Sequence, residues 1–445
     1  MASLRERSVL QHKGAKQMAA DSEDTLLYRW HALGAFACHA FMNQFMFMNF
    51  AVITVLAKDH FGIDDAEVNW FYSTAMLASV PSFLLVMAFI DRRNWAVSLA
   101  GVLSTVLAAW IRWVAVRERS FALGLLSSVA LGPGTAVCFT GFSEFPARFF
   151  EHAGEVRLAR GIATQATFGG WATGGLLAPL LVTSSASMGR FCLAQAVVAT
   201  LVVPLFLWAH RPPNEAREEA SSMLVGRALG HGGASASPGL DAMGWLHLVL
   251  AVLACALVQA VGFTVPAVQE AVSVTLGMDK WMCALLSFCC IMAAVFLGLL
   301  LASQSLAPLT GLRLVLSLFW TAWAALLALH LLVRHWEGGA GPGVHSVFMG
   351  TLFLLAAIGA CCLGSVNASL PLVIAAGQPI PGKITGGVVE LLGLLSASQL
   401  TQMSTDRGYL ICMVATLAAA ILMTAAAATA PAPAPREAAA DHALS

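Results

Sequence analysis

The chain has 445 residues, of which 58% are hydrophobic and only 11% charged, against about 25% charged in a soluble domain. Its 24 Lys and Arg balance its 24 Asp and Glu, so no net positive charge is available to hold a nucleic acid. A soluble fold of this composition would need nearly every helix to be core, and the reading is therefore an all-α membrane protein.

Residues 1–30 form a polar tail without the short apolar core of a cleavable signal peptide. After it, apolar runs of roughly twenty residues recur. Each is long enough, at 1.5 Å per residue, for a helix to cross a hydrocarbon core of about 30 Å. The pattern predicts twelve transmembrane helices, spans 1 to 12, at 31–57, 68–90, 95–116, 122–145, 160–182, 190–209, 244–271, 281–303, 311–334, 345–372, 384–403 and 408–429. A Gly-, Ser-, Pro- and charge-rich stretch at 211–243 divides them into halves of six, 31–210 and 244–430. The Pro/Ala-rich end, 431–445, is expected to be disordered.

With the amino terminus in the cytosol, about sixteen Lys and Arg fall on the cytosolic side and about seven opposite. Both termini are therefore expected in the cytosol. The segment after span 1 carries Asp59, Asp64, Asp65 and Glu67, either an acidic rim at the outer entrance or a solvated loop without a role.

The junction of spans 4 and 5 holds Pro146 and then Gly161, and that of spans 10 and 11 holds Pro371 and then Gly386. Equal spacing at corresponding places suggests a parallel duplication of six helices. Two such halves, related by an axis along the membrane normal, enclose the substrate in major facilitator carriers.

Val68-Asn69-Trp70, Pro81 and Asp91-Arg92-Arg93-Asn94 resemble the second helix and following loop of the feline leukaemia virus subgroup C receptor-related family, a branch of the major facilitator superfamily. Ala109-Trp110-Ile111-Arg112 is similar to that family's Ala-Trp-Ile-Lys stretch, and 146–150, 172–179, 381–382 and 386–387 also match. The likeness is best over 43–180. It implies a carrier of choline, ethanolamine, haem or a vitamin-like solute. In choline-carrying relatives a span 1 tryptophan, a span 5 glutamine and a span 7 tyrosine surround the ammonium group. Alignment puts these at Phe47, at Phe168 with Gln165 a turn away, and near Thr264, and a further glutamine at Asn49. Aromatic character survives at Phe47; the other positions depart. The superfamily's loop after span 2 further implies a cytosolic gate of Asp91, Arg148 and the start of span 11 near Gly386.

Polar groups inside a bilayer need a partner, a cavity or a job. Span 1 carries His39, Asn43, Gln44 and Asn49 among phenylalanines. Asn43, Phe47 and Phe50 share a face, either lining a cavity, where rings hold an ammonium, or joining helices. Gln259, with Gln269 and Phe263, makes span 7 a second candidate wall. Glu390, among Val388, Val389, Leu391 and Leu392, and Glu144 are the deepest carboxylates. Either can exchange a proton, face a cationic substrate, or pair with Arg112.

The ten cysteines lie mostly in apolar runs without metal-ligand spacing. Gly170 and Gly174 are spaced for close helix packing, and the Asn367-Ala368-Ser369 sequon falls on the cytosolic side. No phosphate loop or hydrolytic triad spacing occurs, so no cofactor, metal or catalytic residue is expected. The function expected is secondary or facilitative transport of a small organic solute by alternating access. The protein is expected to be monomeric, with proton or cation coupling and no nucleic acid. The alternatives are a transport-inactive receptor or sensor on the same fold, or a membrane-embedded transferase.

Overall fold

The computed structural model describes residues 28–90, 93–150, 153–209, 242–267 and 408–428, with short helical pieces between 284 and 396. Among these residues there is no β-strand. The helices are α1 (28–47), α2 (Thr54–Phe61), α3 (Asp65–Phe89), α4 (Asn94–Arg117), α5 (Phe121–Phe149), α6 (Ala153–Leu181), α7 (Ser185–Ala209), α8 (Ala242–Ala267) and α9 (Gly408–Ala428). By length and composition alone, four stretches are able to cross a membrane: Asp65–Phe89, Asn94–Arg117, Phe121–Phe142 and Ser185–Trp208. Spans 2 to 7 and span 12 thus lie where the hydropathy pattern puts them. The expected linker falls mostly outside the described residues.

Local chemistry sets the helix starts. Asp64 caps α3: its side chain accepts from the Glu67 amide at 2.8 Å, while Glu67 accepts from the Asp64 amide at 3.0 Å. This reciprocal box satisfies two donors that a helix start leaves open. Asp65 pairs with Lys58 at 2.9 Å. Three of the four acids expected at an outer rim therefore work in starting α3 and tying it to α2. The turn between those helices is closed by Gly62 at φ 69°, a left-handed conformation glycine adopts without steric cost.

Packing inverts the soluble pattern. On α4 the buried residues are small or polar, including Ser98, Gly101, Thr105, Ala108 and Arg112, while Leu103, Leu107 and Val114 are exposed. Small residues let backbones approach and polar ones bond across, while large apolar side chains meet lipid. Prolines inside α3, α5, α6 and α7 are tolerated because neighbouring helices take up the freed backbone groups.

Span 1 departs from expectation. A single helix over 31–57 is predicted, but α1 ends at residue 47, six irregular residues follow, and α2 begins at Thr54. Residues 48–53 are all buried. They contain no glycine or proline, so the break has no local signal. Its cause lies in the partners described below.

A second repeat appears in three dimensions. Trp110 on α4 donates its indole N–H to Thr200 on α7 at 3.1 Å and meets Trp113 edge-on at 5.6 Å. In the second half Trp320 donates to Thr424 on α9 at 3.2 Å and meets Trp323 edge-on at 5.5 Å. The same device of two tryptophans and a threonine therefore joins span 3 to span 6 and span 9 to span 12, the spacing that a duplication of six helices would give.

Candidate functional site

The polar side chains of α1 and of the break after it reach several neighbouring helices. The Thr105 hydroxyl on α4 donates to the Gly101 carbonyl at 3.1 Å. Its oxygen is thereby an acceptor, reached by Asn43 Nδ2 at 3.0 Å and His39 Nε2 at 3.1 Å. That arrangement places the His39 proton on Nε2 and leaves Nδ1 facing Cys138 Sγ at 3.8 Å. Asn43 also donates to the Leu131 carbonyl at 3.4 Å, and its Oδ1 accepts from Thr135 at 3.0 Å and from Gln44 at 2.8 Å. This buried chain of amides and hydroxyls joins α1, α4 and α5 without a charge.

At the break in span 1, Arg112 of α4 comes in from behind. Its Nη1 donates to the Met46 carbonyl at the end of α1, which also accepts from the Asn49 amide at 3.4 Å. Its Nε donates to Ser127 Oγ at 3.3 Å, and the guanidinium lies 5.3 Å from the centre of the Phe50 ring. Among the described residues no carboxylate lies within ion-pair distance of it. Backbone out of helical form is tolerated at membrane depth only where protein or water receives it, and Arg112 receives it here.

Asn49, inside the break, forms a reciprocal amide pair with Gln195 of α7. Gln195 Nε2 donates to Asn49 Oδ1 at 2.9 Å, and Asn49 Nδ2 donates back to Gln195 Oε1. Asn49→Leu or Gln195→Leu alone strands a buried amide, whereas the double substitution strands none. A double-mutant cycle read by unfolding is expected to return a coupling of about 1 kcal/mol. Additive single effects would show that the two amides do not act together.

The candidate substrate residues fall into separate places. Phe47 meets Tyr72 of α3 edge-on at 5.0 Å, and Asn43 belongs to the α4–α5 chain. On α6, Gly170 and Gly174 abut the α1 backbone around Phe41 and Phe45. At 100° per residue Gln165 and Phe168 lie on the opposite side of α6. Both are buried, and Phe168 meets Trp171 edge-on at 5.7 Å. No hydrogen bond or ring contact among the described residues joins Phe47 or Asn49 to Gln165 or Phe168. For Gln259 and Thr264 only the backbone positions, on α8, are described. Glu390 lies outside the described residues. Of the expected gate, Asp91 and Gly386 also lie outside them, and Arg148 is placed only as backbone near the end of α5.

Sequence reasoning missed Gln195 as a partner and Arg112 as a holder of backbone. A lone amide in span 6 was the available signal for the first. It also missed a clasp between the starts of α1 and α6: Arg29 pairs with Glu155 at 3.4 Å and lies 5.5 Å from the centre of the Phe150 ring, while Trp30 meets that ring edge-on. The two helix starts share one side, as alternating spans require.

No family model matches the chain, and no curated protein sequence matches it. Solved structures do. The chain is similar to a D-xylose–proton symporter, with a TM-score of 0.61 and 14% identity, over 89% of this chain and 97% of that one. It is similar also to the peptide transporter POT in complex with sulfate, with a TM-score of 0.56 and 17% identity, over 89% and 94%. The chain has the major facilitator fold, an all-α membrane architecture.

Proposed function

We propose that the chain is a secondary carrier that moves a small organic solute between its two six-helix halves by alternating access. The observation that carries the reading is the buried break of span 1, beside two amides and Arg112, within the fold of known carriers. Interrupted helices at membrane depth are where such folds bind their solutes. The resemblance on span 2 and its following loop supports a solute of the choline/ethanolamine or haem/vitamin type. In this reading Gln165, Phe168, Gln259, Thr264 and Glu390 contact the solute. Asn43, Phe47 and Asn49 form the span 1 wall of the same path. Glu390 handles a proton or cation, and Asp91, Arg148 and Gly386 close the cytosolic side, with both termini in the cytosol.

Proteoliposomes offered choline, ethanolamine, haem and pyridoxine, with and without a pH gradient, test it. Saturable uptake of one of them, accelerated by an inward proton gradient and slowed by Glu390→Gln, is the expected result. Folded protein that binds a solute and never carries it would make the chain a receptor instead.

A further inference from the structure

Gln44 has no part in the wall just described, yet its amide is aimed. Leu131's carbonyl only accepts, so the Asn43 end that faces it is the NH2. Asn43 Oδ1 is thereby turned to Gln44, whose own NH2 must face it, at 2.8 Å. The Gln44 carbonyl is left pointing away. It is fully buried, and among the described residues it finds no donor. On α1, Asn43 faces α4 and α5, and Phe41 and Phe45 abut α6. Gln44 lies between these two directions, about halfway along span 1 and one turn from the start of the break. The Phe41 and Phe45 rings stack at 6.2 Å on the adjoining side. A second buried carbonyl without a donor is that of Gln165 on α6.

A buried acceptor left unmet is costly, and native proteins keep few of them. We propose that the Gln44 carbonyl is a substrate contact, reserved for a hydrogen-bond donor of the transported solute, and that the solute is an amine retaining N–H hydrogens. The inference rests on the carrier reading. A charged N–H donor answers a deeply buried carbonyl more strongly than a neutral one, and aromatic faces nearby suit an ammonium. A fully methylated ammonium has no N–H to give, so only a weaker, neutral hydroxyl donor is left to meet Gln44.

The test uses the full chain in proteoliposomes and the series from ethanolamine through its mono- and dimethyl forms to choline, which differ only in N-methylation. Uptake efficiency is expected to fall along the series, by about tenfold or more from first to last. Gln44→Met is expected to cut ethanolamine uptake by a similar factor and to flatten the series. It is also expected to melt, without solute, at the wild-type temperature, because Asn43 Oδ1 keeps its Thr135 donor. Equal uptake of choline and ethanolamine by the wild type would overturn the amine assignment, and so would uptake of none of the four. A Gln44→Met protein that melts several degrees lower, or keeps the preference along the series, would overturn Gln44 as a contact. Failure of the carrier reading reads differently: folded wild-type protein then carries no solute of any panel.

Discussion

Gly170→Ala is expected to lower the melting temperature of the purified protein by roughly 5 °C, or to prevent its accumulation in the membrane. The added methyl would lie 3.0 Å from both the Phe41 carbonyl carbon and the Phe45 nitrogen, and closer still to the Phe41 oxygen. All of these are backbone atoms, so no rotamer change relieves the clash. α1 and α6 must move apart, and a methyl on Gly174 would meet the Phe45 oxygen at 2.6 Å one turn on. Overpacking of this kind costs about 3 kcal/mol, and in a chain of this length each kcal/mol is equivalent to about 2 °C or less. Gly189→Ala serves as the control: nothing lies within 4 Å of its added methyl, and alanine favours helix by up to about 1 kcal/mol. Equal melting of the two variants would show that α1 and α6 do not cross at these glycines.

Arg112→Met is the second substitution with a large expected effect, and the effect is local. It takes from the Met46 carbonyl its charged donor, leaving the Asn49 amide at 3.4 Å, and from Phe50 its cation. A hydrogen bond to a charged group contributes about 1.5–3 kcal/mol. Amide hydrogen exchange across residues 47–53 is therefore expected to quicken by roughly ten- to a hundredfold, by that arithmetic. The global melting temperature should change much less, because removing a buried charge recovers its desolvation cost. Arg112→Lys, with one ammonium in place of a planar fork, should fall between. Unchanged exchange at 47–53 in the Met variant would remove Arg112 from any role at the break. The matching Trp pairs sharpen the point. The Trp pair of span 3 encloses Ile111 and Arg112, while that of span 9 encloses Thr321 and Ala322. The repeat therefore needs no arginine at this position to fold its two tryptophans.

The amino-acid sequence by itself determined where spans 2 to 6 lie. Helices α3 to α7 begin and end within a few residues of the apolar runs at 68–90, 95–116, 122–145, 160–182 and 190–209, apart from the longer start of α6. Hydropathy is a property of one segment against a slab of fixed thickness, and needs no knowledge of neighbours. The close-packing glycines of α6 were legible for the same reason: theirs is a spacing along one chain segment.

Only the tertiary structure decided what each buried polar group does. Asn43 and Phe47 share a face of α1 that meets α3, α4 and α5, whereas Phe50 lies in the break and meets Phe61 and Phe71. Helical periodicity assigns residues to faces, and helix rotation, set by neighbours, assigns faces to surroundings. Asn49 and Gln195 are 146 positions apart, and Arg112 reaches a carbonyl 66 positions away. The break in span 1 follows from those distant partners, with no glycine or proline to announce it. A sequence shows that a bilayer-buried amide must find a partner, but the partner is chosen by which helices cross, at what height and in what rotation.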